Sequence, residues 1–260
     1  MNNLLIKVLS LPDADVRRKK FSNTFIKNSS FSYEFFDGIY GKHLKKESIA
    51  QIYSSEKANN KINRDLTLGE IGATYSHYLM YLEANSKKVD YLLVLEDDTF
   101  INQDFDKVIK KITTRISPEE DAIIFIQEHT LNKKVIFSRK IQKLTNNYGM
   151  RRLLGSSQYF VGSYGYIVTK EAINKLILNY LPIFCVCDHW YFIKKQSGIK
   201  NFYCVIPSVV KTNEEQVRMI DSFINHDRQK IIKKNKISTI AKAKILVKKI
   251  VLTITDKDWE

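Results

Sequence analysis

A buried strand that ends in three acids constrains this chain more than any other stretch. Residues 91–95 form an apolar run of strand length, and Glu96, Asp97 and Asp98 follow it directly. A continuous apolar run predicts a strand covered on both faces, as in a parallel sheet. In open α/β sheets ligands bind beyond the carboxyl ends of the strands, so the three acids are placed where a ligand would lie.

Three adjacent carboxylates at the edge of a core repel one another and raise each other's pKa. A divalent cation that also bridges the phosphates of a substrate would neutralise them. Side chains alternate along extended backbone, so Glu96 and Asp98 are expected to point one way and Asp97 the other. The structural alternative is that Asp98 serves as a turn residue or caps a helix beginning near Asp104.

The composition limits the class of protein to a folded one with an anionic partner. The chain has 260 residues, of which 44% are hydrophobic and 12% aromatic, which argues against disorder. Its formal charge of +14 suggests nucleic acid, acidic lipid or a phosphorylated substrate. Three cysteines form no disulfide framework, and the N-terminus reads as a strand and not a signal peptide. We therefore expect a reducing, cytoplasmic setting.

Strands alternate with helices over some 200 residues, which predicts an α/β layered domain. Residues 4–11 read as a first strand, and a helix after it carries the Arg17-Arg18 pair. Residues 44–63 are polar and poorly periodic, so a mobile or locally helical excursion is expected there. Residues 121–127 read as a second buried strand ending at Glu128, and further strands are expected over residues 133–138, 159–169 and 202–206.

A second block combines a helix start with two glycines. Thr67 and Glu70 have capping-box spacing, and an apolar helical stripe follows them. Gly69 and Gly72 lower helix propensity in the first turn, so they predict close approach of a ligand or of another backbone. His77 lies two turns after Glu70 on the same face, although a lone histidine is more often structural than catalytic.

The C-terminal tail, residues 230–260, differs in kind from the domain expected over residues 1–229. Between Lys230 and Lys249 there are eight lysines and no acid, and apolar residues share one side of a helical wheel. A basic amphipathic helix is typical of a membrane-surface anchor. A packed terminal helix with a solvated basic face is an equally good interpretation.

The order of these blocks resembles glycosyltransferase family 25, the bacterial lipooligosaccharide galactosyltransferases related to collagen galactosyltransferases. A Gly-Glu-Ile-Gly and Ser-His block followed some twenty residues later by Leu-Glu-Asp-Asp is the specific pairing. Together the matching blocks cover residues 4 to 210, and they are Leu9-Ser10-Leu11 with Arg17-Arg18, Leu68-Gly69-Glu70-Ile71-Gly72 with Ser76-His77, Leu95-Glu96-Asp97-Asp98, and Gly162-x-x-Gly165-Tyr166-Ile167 leading to Asp188.

The resemblance implies a GT-A type fold with a Rossmann-like nucleotide-binding half and a mixed, mostly parallel sheet. It implies inverting, metal-dependent transfer of a hexose, most often galactose from UDP-galactose, onto an outer-core sugar of lipooligosaccharide or lipopolysaccharide. UDP-glucose is the alternative donor. The expected partners are the nucleotide sugar, a lipid-linked oligosaccharide and an anionic membrane surface held by the tail. The expected location is the inner face of the inner membrane.

The resemblance also implies roles for particular residues. Asp97 and Asp98 would hold Mn²⁺ or Mg²⁺ against the diphosphate, with His226 as a further ligand. The nucleotide and donor pocket would be formed by Ser10, Leu11, Arg17, Gly69, Glu70, Gly72, His77 and Glu96. An inverting displacement needs a base for the acceptor hydroxyl, and Asp188 is the first candidate, with Glu128 in reserve.

Two rival classes are weaker. A haloacid-type phosphatase needs Asp-x-Asp-x-Thr, and Asp97-Asp98-Thr99 lacks that spacing. A non-catalytic basic protein that binds nucleic acid or membrane fits the charge. Much of that excess lies in the tail, however, and no nucleic-acid-binding motif is recognisable. We therefore expect no nucleic acid partner.

Overall fold

A computed structural model of the chain describes residues 3–128, 135–155 and 160–212. The predicted basic tail, the boundary at residue 229 and His226 all lie outside the described residues. Within them no helix is both long and apolar enough to cross a membrane.

The described residues form an eight-stranded sheet and a separate two-stranded ribbon. The sheet order is β2-β1-β3-β8-β5-β9-β7-β6, and the ribbon pairs β4 with β10. The bounds are β1 Leu4–Ser10, β2 Glu34–Asp37, β3 Tyr91–Glu96, β4 Thr99–Ile101, β5 Ala122–Phe125, β6 Gln142–Lys143, β7 Gly149–Arg152, β8 Gly165–Thr169, β9 Asn201–Ile206 and β10 Val210–Thr212.

Strand direction confirms the predicted fold class, an α/β domain with a mixed, mostly parallel sheet. β1 runs parallel to β2 and β3, and β5 runs parallel to β9. β8 is antiparallel to both β3 and β5, and β7 is antiparallel to β9 and β6. Thus β7 and β8 oppose the other six strands of the described sheet.

Helices cover both faces of this sheet. Their bounds are α1 Asp15–Asn28, α2 Lys46–Ile52, α3 Ser55–Ile62, α4 Leu68–Ser86, α5 Phe105–Arg115, α6 Lys170–Asn179 and α7 Trp190–Ser197. Leu92 and Val94 of β3 pack in one core with α4, α6 and α7. Leu93 and Leu95 pack in a second core with α1 and α5. This alternation explains why the β3 sequence is apolar throughout, because each successive side chain enters a different core.

Several local predictions can now be compared with the structure. The polar segment 44–63 is locally helical, since it holds α2 and α3. The predicted strand over 133–138 is wrong for its described residues, where Phe137 forms only an isolated bridge to Leu153. The strand predicted from residue 159 begins later, at Gly165. Asp98 is a turn residue between β3 and β4, as the structural alternative allowed, but it does not cap the next helix, because α5 begins at Phe105 after Asp104.

Candidate active site

The candidate site lies at the carboxyl ends of β1 and β3. β1 is the central strand of the three, because β2 pairs on one side of it and β3 on the other. The connection after β1 leads to one side of this strand and the connection after β2 leads to its other side, so the strand order reverses here. Open α/β sheets bind ligands at such a switch point. Ser10 ends β1, and Asp97 and Asp98 follow the last residue of β3.

Asp97 is held in place by groups from β1 and α1. The Ser10 hydroxyl donates a 2.5 Å hydrogen bond to Asp97 Oδ2, and Arg17 Nε lies 3.3 Å from the same oxygen. Arg18 Nε in turn donates to Ser10 Oγ at 3.1 Å, and Arg18 also pairs with Asp37 at the end of β2. Burial raises the pKa of Asp97, while the Ser10 hydrogen bond and the two arginines oppose that shift.

The Oδ1 atom of Asp98 is buried and has no hydrogen-bond partner among the described residues. Burial, and then the charge of Asp97, raises the pKa of Asp98, and Arg17 opposes the shift. A backbone hydrogen bond to the Asp98 carboxylate also opposes the shift. A buried carboxylate oxygen without a donor is costly unless a cation or another ligand group compensates it.

These two carboxylates fit a divalent cation that shares its remaining positions with a substrate. Magnesium is commonly bound by one or two carboxylates together with substrate phosphates and water. The described residues contain no group of three or more His, Cys, Asp or Glu side chains arranged as a complete metal site. Two carboxylates, one of them with an unpaired oxygen on Asp98, are compatible with a cation that takes its other ligands from phosphate and water.

Glu96 faces away from Asp97, toward the loop before β8. The Ser163 hydroxyl donates a 3.1 Å hydrogen bond to Glu96 Oε1. Burial, together with the charges of Asp98, Asp188 and Asp97, raises the pKa of Glu96 to about 8, although the Ser163 hydrogen bond opposes the shift. The alternation expected along residues 96–98 is thus visible in the partners of Glu96 and Asp97.

The same loop reaches Asp188. Gly162 N donates a 3.3 Å hydrogen bond to Asp188 Oδ2, and Gly162 O accepts one of 2.9 Å from the indole of Trp190. Gly162 has φ +98°, a conformation that favours glycine. Helix α7 begins at Trp190 with His189 at its N-cap position, so Asp188 is not the cap. The Gly162-Ser163 pair therefore ties Asp188 and Glu96 to one loop.

Glu128 follows β5 and is exposed. Its backbone N donates to Val210 O at 2.9 Å, and its backbone carbonyl accepts from the Tyr164 hydroxyl at 2.6 Å. Burial raises the pKa of Tyr164, and the charges of Glu128, Glu96 and Asp98 add to the shift. The Tyr164 hydroxyl therefore sits among the acids of the site.

The glycine-rich start of α4 has structural partners. Thr67 and Glu70 form the predicted capping box. Arg64 donates a 2.7 Å hydrogen bond to each carboxylate oxygen of Glu70. A Cβ on Gly72 would lie 2.5 Å from Ile39 O and 2.6 Å from Gly41 N, so this glycine admits another backbone. Of the two explanations for the glycines, close backbone approach is confirmed at Gly72. The donor-pocket role of Gly69, Glu70 and Gly72 stays a prediction.

His77 is part of the core. Its Nδ1 lies 2.6 Å from the Tyr166 hydroxyl, which lies 2.8 Å from the Tyr81 hydroxyl. Burial lowers the pKa of His77 to about 3, so the imidazole is neutral at physiological pH. Leu11 is half-buried beside the site, and its carbonyl accepts from Ala14 N at 3.1 Å.

Sequence reasoning missed four residues of this site: Arg18, Arg64, Ser163 and His189. Two of them had a signal, since Arg18 lies in the Arg17-Arg18 pair and Ser163 lies between the glycines before β8. Arg64 and His189 belong to no motif of the sequence, and their partners Glu70 and Phe192 are visible only in the structure.

Comparisons with known proteins show which family the chain resembles. The family model described as "Glycosyltransferase family 25 (LPS biosynthesis protein)" matches residues 3–191 of this chain. The lipooligosaccharide biosynthesis protein lic2B of Haemophilus influenzae is 27% identical over 171 residues, which are 65% of this chain and 60% of that protein. Human procollagen galactosyltransferase 2 is 27% identical over 115 residues, 44% of this chain and 17% of that protein.

Among solved structures, the crystal structure of A197 from STIV aligns with 81% of this chain and with 83% of its own chain, at 13% sequence identity and a TM-score of 0.40.

The chain matches 60% or less of the length of the Haemophilus and human relatives. The family match spans well over half of the chain and includes Ser10, the acids after β3 and Asp188. The protein belongs to glycosyltransferase family 25.

Proposed function

We propose that this family 25 glycosyltransferase moves a hexose from a nucleotide sugar to a sugar acceptor, with the donor diphosphate at the ends of β1 and β3. The carrying observation is Asp98 Oδ1, which is buried beside Asp97 without a partner among the described residues. A carboxylate pair with one oxygen left open at a topological switch point suits a metal-bound diphosphate.

Asp97 and Asp98 are the proposed ligands for Mn²⁺ or Mg²⁺. When bound, such a cation would neutralise charge that builds up on the departing nucleotide. Ser10 and Arg17 fix the Asp97 carboxylate, and a guanidinium such as that of Arg17 is suited to binding a phosphate. His226 remains a proposed additional ligand outside the described residues.

Asp188 is the proposed base for the acceptor hydroxyl in an inverting displacement. Its contact with Gly162 N fixes the carboxylate and leaves it able to accept a proton. Glu128 is the reserve candidate, at the end of β5. Ser163 and Gly162 connect this part of the site to Glu96, so the loop before β8 joins the proposed donor and acceptor sides.

We propose galactose from UDP-galactose as the donor group and an outer-core sugar of lipooligosaccharide or lipopolysaccharide as the acceptor. The names of the Haemophilus and human relatives support this choice. Incubating the protein with Mn²⁺, an acceptor panel and each UDP-hexose in turn tests it. UDP-galactose should give the fastest transfer. Faster transfer from UDP-glucose would replace galactose with glucose, and no transfer from any UDP-hexose would contradict the proposal.

A lipid-linked acceptor favours a cytoplasmic enzyme held on the inner membrane surface, because attachment raises the effective concentration of both reactants. We propose that the basic tail supplies the attachment to anionic lipid. Deletion of the residues after Gln229 should release the protein from anionic vesicles and preserve transfer to a soluble acceptor. Unchanged vesicle binding would refute the anchor.

A further inference from the structure

A rigid ion pair lies beside the proposed base. Arg64 presents both terminal nitrogens to Glu70, at 2.7 Å from Oε2 and 2.7 Å from Oε1. The Glu70 side chain is 1% exposed and that of Arg64 is 16% exposed. Such a bidentate pair fixes the plane of the guanidinium as well as its position. Arg64 is therefore a preorganised donor group at the protein surface.

Contacts between α4 and the segment before α7 place the Arg64–Glu70 pair near Asp188. Thr74 lies one helical turn after Glu70, and its hydroxyl accepts a 3.1 Å hydrogen bond from Cys187 N. Ile183 N also donates to Ile52 O at 2.7 Å, so the segments around residues 52 and 183 are joined. Consistent with this proximity, the charge of Asp188 raises the pKa of Arg64.

His189 adds a second group with an unused hydrogen-bonding atom. Its Nδ1 is buried and has no partner among the described residues. The ring packs on Phe192, with centroids 4.7 Å apart, so its orientation is held by packing. Burial lowers the pKa of His189 and Arg64 adds to the shift, while a hydrogen bond to its own backbone and the charge of Asp188 oppose it. A buried polar atom of this kind needs a hydrogen-bond partner.

The charges of the cluster decide what that partner is. Arg64 contributes one positive charge, while Glu70 and Asp188 contribute two negative charges, so an anionic ligand would be repelled. A neutral ligand rich in hydroxyls would satisfy the imidazole nitrogen and the remaining guanidinium N–H groups. Saccharides have that chemistry.

We propose that Arg64 and His189 form an acceptor subsite that binds sugar hydroxyls beside Asp188. Glu70 is then a positioning residue that acts through Arg64, and it serves the acceptor instead of lining the donor pocket. This inference rests on the proposed transferase function. It also explains the glycine at position 72, because close backbone packing at Gly72 fixes the helical turn that carries Glu70.

Saturation-transfer NMR on the full chain, loaded with UDP and Mg²⁺, tests the subsite. The probes are the methyl glycosides of galactose, glucose and N-acetylglucosamine. His189→Phe keeps an aromatic ring against Phe192 and removes both ring nitrogens. Arg64→Lys keeps the positive charge and removes the planar guanidinium that makes two parallel hydrogen bonds. Each variant should weaken the best-bound glycoside about tenfold. Lys61→Gln, an exposed cation at the end of α3, is the matched control and should change nothing.

UDP affinity, measured by titration calorimetry on the same samples, separates the possible outcomes. It should stay within about twofold of wild type in all variants. Glu70→Gln should weaken the glycoside and spare UDP, whereas a merely structural role would lower both through unfolding. Equal glycoside affinity in His189→Phe and wild type would overturn the subsite. So would a wild type that binds UDP and none of the glycosides. If UDP itself fails to bind, the proposed function falls and the subsite falls with it.

Discussion

Ser10 and Asp97 lie 87 residues apart in sequence and are joined by a 2.5 Å hydrogen bond from the serine hydroxyl to the carboxylate. The register of the sheet makes this contact possible, because Leu9 of β1 pairs with Glu96 of β3. Asp97 N also donates to Leu9 O at 3.2 Å. The pairing of two parallel strands thus aims one carboxylate of the proposed metal pair.

Ser10→Ala tests whether that contact prepares the donor site. The variant leaves Asp97 with fewer donors in a buried position, so its carboxylate should ionise less readily and hold a cation more weakly. We expect UDP affinity in the presence of Mg²⁺ to fall about fivefold by titration calorimetry. Ser86→Ala, which removes an exposed hydroxyl bonded to its own helix, is the control. An unchanged affinity in Ser10→Ala would separate this contact from donor binding.

Glu96 predicts a pH dependence of stability in the metal-free protein. Its pKa is raised from 4.5 to about 8 in the folded state, so folding favours the protonated form. The stability linked to Glu96 is fully present below pH 4.5 and is lost as the pH rises toward 8. With EDTA present, the melting temperature of wild type relative to Glu96→Gln should fall by several degrees between about pH 5 and 8. A constant difference across that range would contradict the raised pKa.

Asp188→Asn tests the assignment of the base. Asparagine keeps an oxygen that can accept from Gly162 N, so the loop should retain its geometry. Removing a general base should slow transfer by about 10² to 10⁴. Affinity for UDP should stay near that of wild type. Full transfer activity in Asp188→Asn would remove this residue from the role, and loss of transfer in Glu128→Gln instead would favour the reserve candidate.

Features encoded in short stretches of sequence could be predicted. The apolar run before Glu96 specifies a strand because each of its faces needs a core, and the capping box needs only Thr67 and Glu70 at their observed spacing. The polar strands β6 and β7 could not be predicted. Their sequences show no apolar alternation, and they exist because β7 pairs with the buried strand β9.

The site divides in the same way. The acids after β3 were visible because they interrupt an apolar run. The partners that fix them were not, since Ser163 meets Glu96 only through the pairing of β3 with β8. Arg64 and His189 belong to segments that are brought together by the hydrogen bond from Cys187 N, before α7, to Thr74 of α4. Local pattern therefore indicated where the candidate site lies, and tertiary structure determined which side chains surround it.

The cation dependence of UDP binding in wild type and in Asp98→Asn tests the central claim most directly. Titration calorimetry should show that Mg²⁺ raises the UDP affinity of wild type at least about tenfold, because Asp98 then shares the cation with the diphosphate. Asp98→Asn should lose that increment. Without metal the variant should melt no lower than wild type, since it no longer buries an uncompensated carboxylate. An equal Mg²⁺ increment in both proteins would contradict the account.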